Sequence, residues 1–386
     1  MKKRCSVIAG LLCLALAFSG CAKTPGTDKP SGNGTTNTKD AAQYKLDVLR
    51  PVAYSSIDGL NLEPGSTISI IGRYSDDSYW KEVENGAKKA VADINKMLGY
   101  KGDDKVELSY IAPNVRDDVN EQISLLDEEL ARYPIAIGIS AIDATACQIQ
   151  FDLAAENGIP IVTFDSGSEY QHIASHVSTD NLDATATAAS KLANALDGQG
   201  EVAVFVQDSF SMTAKQRLQG FMDTISKRYP QISVVNVYHM DQLSSMQQTI
   251  AAEKNAALAE GESAINPEEL TQKDVVKYVI EKYPNLIGIY STNLDSTQLV
   301  AGVLKDLKKT DLTFIGFDGG TEQMKLLESG LLEGIIIQNP YAMGYATVVA
   351  AARVSLSLPN ESFVNSGYTW VTKDNMKKED IKGMLY

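Results

Sequence analysis

Residues 158–165 read Gly-Ile-Pro-Ile-Val-Thr-Phe-Asp, and residues 312–318 read Leu-Thr-Phe-Ile-Gly-Phe-Asp. Each is a short apolar run, rich in β-branched and aromatic residues, that stops at an acid. Such runs predict strands buried on both faces. Runs of the same kind stand at 67–72, 105–111 and 135–139 before the first, and at 201–206, 232–238 and 286–290 before the second. Helical-period segments separate them: 79–98, 119–132 and 145–156, then 213–228, 275–283, 296–307 and 321–329. Strands alternating with helices predict βαβ units and parallel sheets. The pattern runs through twice with 172–180 between, so two similar α/β lobes are expected. Residues 65–179 with 339–366 are expected to form the first lobe, and 180–338 with 367–386 the second. In such sheets ligands bind beyond the carboxyl ends of the strands, and two lobes let those ends face each other across a cleft.

Segment 246–274 fits this scheme less well. Residues 246–259 read as helix, Glu260-Gly261-Glu262-Ser263 breaks it, and Asn266-Pro267-Glu268-Glu269 reads as a helix restart with a cap and an early proline. An extra surface helix on the second lobe is expected.

Composition bounds the function. The 386 residues carry 35 Lys+Arg against 49 Asp+Glu, a net charge of −14. Nucleic acid as a partner demands a basic footprint, so it is excluded. A hydrophobic share of 44% with 22% charged residues is that of a globular protein.

The N-terminus reads as a targeting segment. Lys2, Lys3 and Arg4 precede an apolar run over 7–18, too short to span a bilayer but suited to a signal peptide. The run ends in Phe18-Ser19-Gly20-Cys21, which resembles a bacterial lipobox although Phe18 stands where Leu is usual. Residues 1–20 are then a removable signal and Cys21 the lipidated residue. An ordinary secretory signal before a chance Cys is the alternative. With Cys5 and Cys13 removed, Cys147 is the one remaining thiol and no internal disulfide is expected. Residues 22–42 hold no aromatic or large aliphatic residue and read as a flexible tether of roughly 25 Å reach. Residues 44–64 read as an irregular lead-in, closing a tether and lead-in region of 21–64. An extracytoplasmic globule held at the cell membrane by lipid is expected.

The chain lacks a phosphate-cradling loop, a glycine-rich dinucleotide fingerprint and a nucleophile elbow. His172, His176 and His239 have no metal-ligand spacing, so neither metal nor cofactor is expected. No enzyme is expected either, although paired carboxylates leave no obligatory local signature.

What stands at the predicted strand ends is polar, planar and aromatic. Arg73-Tyr74-Ser75-Asp76-Asp77-Ser78-Tyr79-Trp80 follows the first strand, Asp165 the fourth, and Asn293 lies just past Ile289-Tyr290. Asp318 ends Phe314-Ile315-Gly316-Phe317, Gln338 ends Gly334-Ile335-Ile336-Ile337, and Arg217 lies on the first helix of the second set. Planar heads with paired donors or acceptors match adjacent hydroxyls on a sugar ring. Tyr79 and Trp80 offer faces for its C–H side. For any one of these residues alone, a cap or core role is the simpler account.

From 67 to 370 the chain resembles the type I periplasmic sugar-binding proteins of ABC transporters, the ribose- and galactose-binding group. The resemblance rests on Gly158–Asp165 as quoted, Thr179-Asp180-Asn181, Arg217 before Gly220-Phe221, Ile315-Gly316-Phe317-Asp318-Gly319, and Gln338-Asn339-Pro340-Tyr341-Ala342-Met343-Gly344-Tyr345. It implies two Rossmann-like lobes joined by a three-segment hinge, crossing near Thr179-Asp180, near Gln338-Asn339 and at 365–369. It also implies that Asp165 and Asp318 accept hydrogen bonds from sugar hydroxyls, that Arg217, Asn293 and Gln338 reach the sugar, and that Tyr79 and Trp80 stack on it. Ribose binders have Asn at the position of Asp77, Arg at that of Ser166 and Phe-Phe at that of Tyr79-Trp80. The run from Arg73 to Asp77 is closer to galactose and glucose binders, whose calcium loop has no counterpart here, and it favours a hexose over ribose. Arg73 could signal an acidic ligand, but pairing with Asp76 or Asp77 is the simpler reading.

A ligand that touches both lobes favours the closed state through contacts made in that state. First-lobe contacts would come from Asp77, Tyr79, Trp80 and Asp165, second-lobe contacts from Arg217, Asn293, Asp318 and Gln338. The expected partners are a monosaccharide and an ABC permease, with a membrane sensor kinase as the alternative, and the receptor is expected to be a monomer. A secreted enzyme is the third possibility.

Overall fold

The computed structural model describes residues 41–259, 261–382 and 384–386. The signal segment, Cys21 and the tether as far as residue 40 lie outside the described residues. Two six-stranded sheets organise the chain. The first is built from β1 (Thr67–Ile71), β2 (Glu107–Ile111), β3 (Ala136–Ile139), β4 (Ile161–Phe164) and β5 (Ser175–Ser178). The second uses β6 (Gln199–Val206), β7 (Gln231–His239), β8 (Leu286–Ser291), β9 (Thr313–Phe317) and β10 (Gly334–Gln338). β11 (Phe363–Asn365) joins the first sheet and β12 (Tyr368–Val371) the second.

The strand orders are β11-β5-β4-β3-β1-β2 and β12-β10-β9-β8-β6-β7, one topology used twice. β11 runs parallel to β5, whereas β12 runs antiparallel to β10. The chain therefore passes between the sheets three times: after β5, after β10, and between β11 and β12. β3, β4 and β10 are buried at every residue, as strands covered on both faces must be.

The helices follow from the same alternation. α1 (Ala41–Leu46), α2 (Ser78–Leu98), α3 (Val119–Leu130) and α4 (Gln148–Glu156) precede the first crossing. α5 (Asn181–Ala195), α6 (Met212–Arg228), α7 (Leu243–Ala256), α8 (Gln272–Lys282), α9 (Leu294–Asp306) and α10 (Thr321–Ser329) belong to the second half. α11 (Pro340–Ser355) returns to the first lobe and packs along α2, and α12 (Glu379–Lys382) follows β12. α2 and α11 approach so closely that a Cβ on Gly86 would lie 1.9 Å from the Tyr341 carbonyl oxygen, and one on Gly344 would lie 1.9 Å from that of Val83. Only glycine fits at either place. This contact fixes the axis of α2, whose N-terminus carries Asp77, Tyr79 and Trp80.

Two expectations need correction, and one helix was not expected. Residues 44–64 hold little regular structure, as a lead-in would, but they belong to the first lobe rather than preceding it. α1 and a 3₁₀ turn at Val52–Ser55 place Leu46, Leu49, Tyr54, Leu60 and Leu62 in the first-lobe core, and Arg50 pairs with Asn365 at the edge of β11. The apolar spacing that does this is too sparse to read as an element. The restart at Asn266 is one 3₁₀ turn, Pro267–Glu269; α8 starts after Thr271, whose reciprocal capping with Asp274 is the stronger signal. α5 has no place in the sequence-level reading, because its buried face is mostly alanine and carries little hydrophobic contrast.

Candidate functional site

The carboxyl ends of both parallel sheets converge on one cavity. All nine side chains singled out in the sequence line it: Arg73, Asp77, Tyr79, Trp80, Asp165, Arg217, Asn293, Asp318 and Gln338. Arg73 follows β1, Asp165 follows β4, Asn293 follows β8, Asp318 follows β9 and Gln338 ends β10. Asp77 caps α2 by accepting the Tyr79 N–H at 2.7 Å, and Asn293 caps α9 by accepting from Ser296 at 3.0 Å. The cap role and the cavity position thus coincide at both residues.

Asp165 and Asp318 stand in the left-handed region, with φ of 52° and 72°. Asp165 Oδ1 accepts from the Tyr79 hydroxyl at 2.8 Å and Oδ2 from Ser140 at 3.1 Å. Asp318 Oδ2 accepts from the Leu294 N–H at 2.9 Å, while Oδ1 accepts from Gln338 Nε2 at 2.8 Å and from the Tyr386 hydroxyl at 3.3 Å. Burial holds the Asp318 carboxyl above the ordinary carboxylate range, against the pull of Arg217 and of its own hydrogen bonds. Burial, with the nearby charge of Asp165, raises the Tyr79 hydroxyl, which stays a donor.

Six aspartates and three arginines face the cavity. Arg73 is not paired with Asp76 or Asp77, as the shorter sequence separation suggested. Its Nη2 and Nε donate to Asp117 at 2.6 and 2.9 Å, and Asp208 of the second lobe lies 3.8 Å away. Arg116 pairs with Asp77 at 2.7 Å and with Asp295 of the second lobe at 3.5 Å. Arg217 donates to Asn181 at 2.8 Å and to the Thr292 carbonyl at 2.9 Å, and its guanidinium lies 4.0 Å from the Phe317 ring centroid. Among the described residues no ion pair reaches Asp165 or Asp318. These two carboxylates are held by neutral donors alone, one in each lobe.

Gln338 also ties the cavity to the crossings. Its Oε1 accepts from Thr179 at 2.9 Å, and the Thr179 hydroxyl lies 3.5 Å from the Gly367 carbonyl oxygen. One hydroxyl therefore touches all three segments that pass between the lobes. Tyr79 and Trp80 meet edge to face at 5.1 Å.

Several lining residues were not anticipated. Gln207 and Asp208 follow β6 as Arg73 and Tyr74 follow β1, so the strand-end rule would have found them. Arg116 and Asp117 lie in the connection from β2 to α3, beyond the reach of that rule. Tyr386 arrives from the far end of the chain, and nothing local marks it.

A family model described as a periplasmic binding protein domain matches residues 68–356, and the chain belongs to that family. It is 20% identical to the ribose import binding protein of Escherichia coli strain K12, over 80% of this chain and 90% of that protein. It is 22% identical to the xylitol-binding protein of Mycolicibacterium smegmatis, over 72% of each. Among solved structures, it is similar to a carbohydrate transporter solute-binding protein from Agrobacterium radiobacter in complex with D-arabinose. The TM-score is 0.68 at 28% identity, covering 83% of this chain and 99% of that one. It is also similar to an arabinose-binding protein from Geobacillus stearothermophilus, with a TM-score of 0.64 at 26% identity, covering 84% of this chain and 100% of that one.

Proposed function

We propose that the protein is the extracytoplasmic receptor of an ABC importer and binds a monosaccharide between its lobes. The observation that carries this reading is the pair Asp165 and Asp318. Each is a buried carboxylate without an arginine partner, and together they face a cavity lined by Tyr79 and Trp80. Two such acceptors suit neutral hydroxyls. An acidic sugar is disfavoured, because Arg73 and Arg116 are committed to aspartates on both sides of the cleft. Arg217, Asn293 and Gln338 would contribute from the second lobe, and Asp77 through its position at the head of α2.

The relatives' names speak of import, which supports transport over coupling to a sensor kinase. Lipidation at Cys21 would hold the receptor at the membrane surface as a monomer, and it rests on Phe18-Ser19-Gly20-Cys21. Binding without turnover is the expected chemistry.

Thermal-shift screening against pentoses, hexoses, sugar acids and nucleosides tests the reading. A neutral monosaccharide at a hundredfold over its dissociation constant should stabilise the fold by about 2.7 kcal/mol. A response confined to sugar acids or nucleosides would overturn it.

A further inference from the structure

The segment that follows α12 reaches across the cleft. Met384 and Leu385 pack against the second-lobe core, whereas the Tyr386 ring packs against the first. The ring of Tyr386 meets that of Tyr79 edge to face at 5.3 Å. Its hydroxyl accepts from the Gly319 N–H at 3.0 Å and donates to Asp318 at 3.3 Å. A phenol thus fills the space between the aromatic platform of one lobe and the carboxylate of the other. It touches the two groups that the sugar-receptor reading assigns to the ring face and to a hydroxyl.

We propose that Tyr386 is a specificity-determining wall of the cleft, selecting a pentose against a hexose by excluding the exocyclic hydroxymethyl group. The proposal rests on the sugar-receptor reading and deepens it. The hydroxyl bonds to Gly319 and Asp318 position the ring, and the ring takes up the volume. The exclusion is therefore steric, and it survives loss of the hydroxyl. Because Tyr386 lies at the junction of Tyr79 and Asp318, a bulkier ligand meets it at the place where stacking and hydrogen bonding must both be satisfied. The penalty for one unaccommodated methylene and hydroxyl is enough for discrimination of tenfold or more.

The test uses sugars that differ only by that group: D-xylose with D-glucose, and L-arabinose with D-galactose. Each is titrated calorimetrically into the full chain, Tyr386→Ala and Tyr386→Phe, with melting curves to verify folding. In Tyr386→Ala the preference for pentose over hexose should fall at least tenfold, chiefly through tighter hexose binding. Tyr386→Phe should hold the wild-type ratio within threefold. An unchanged ratio in Tyr386→Ala overturns the proposal, as does equal tightening of both sugars, which would make the phenol a displaceable occupant. A wild-type chain that shows no preference for the pentose of either pair also overturns the proposal, whereas the sugar-receptor reading stands or falls with the wider thermal-shift screen.

Discussion

Asp165 and Asp318 occupy the same place in two copies of one motif. Asp165 follows β4 and donates its N–H to Val177 of β5 at 2.9 Å; Asp318 follows β9 and donates to Ile336 of β10 at 2.7 Å. Both leave the strand in the left-handed region, which Asp and Asn tolerate better than other side chains with a Cβ. The turn lifts each carboxylate out of the sheet into the cleft, so one local rule used twice delivers an acceptor from each lobe. It also decides how these residues are best tested. Alanine at either place adds backbone strain of about 1–2 kcal/mol, whereas asparagine removes the charge and keeps the turn.

Thr179→Val should weaken sugar binding without touching sugar. The change is nearly isosteric, but it leaves the buried Gln338 Oε1 without its donor and frees the amide that holds Asp318. An unpaired buried acceptor costs about 1–3 kcal/mol. A fall in affinity of threefold or more, with a lower melting temperature, is expected from calorimetry and thermal unfolding.

Gly344→Ala should be among the more destabilising single substitutions in the first lobe. Its Cβ would overlap the backbone of α2, which cannot yield as a side-chain tip would. Overpacking of this kind costs about 1–3 kcal/mol, and denaturant unfolding should register at least that. The proposed sugar site should suffer too, because α2 carries Asp77, Tyr79 and Trp80.

His176 predicts a pH dependence. Burial lowers its pKa to about 4, and Thr163 lies 2.9 Å from its Nδ1. The folded state therefore prefers the neutral ring, while the unfolded chain takes up a proton near the ordinary pKa of about 6.5. The stability that depends on neutral His176 is complete above about pH 6.5 and drains away as pH falls toward 4. His176→Gln should flatten the melting temperature across that window. A profile identical to wild type would remove His176 as its source.

Much of this was legible in sequence because the fold repeats a simple rule. Buried parallel strands read as apolar runs, and a polar residue at the end of such a run lies at the ligand-facing edge; Asp165, Asn293, Asp318 and Gln338 were found that way. What escaped depends on long-range contact. The pairing of Arg73 with Asp117 and Asp208 spans two loops and two lobes, so the nearby Asp76 and Asp77 looked better in one dimension. The lead-in with Leu49 and Tyr54 acquires structure only from α2 and α11 against it. Tyr386 enters the cleft from the tail of the other lobe, a placement no local pattern encodes.

The central claim is that one sugar is gripped by Asp165 from one lobe and Asp318 from the other. The most direct measurement is calorimetric titration of the best-stabilising monosaccharide into wild type, Asp165→Asn and Asp318→Asn, each verified as folded by its melting curve. The loss of a charged acceptor for a sugar hydroxyl corresponds to about 1.5–3 kcal/mol, so each variant should bind at least tenfold more weakly. A folded variant of either aspartate that binds the sugar as tightly as wild type would contradict the account.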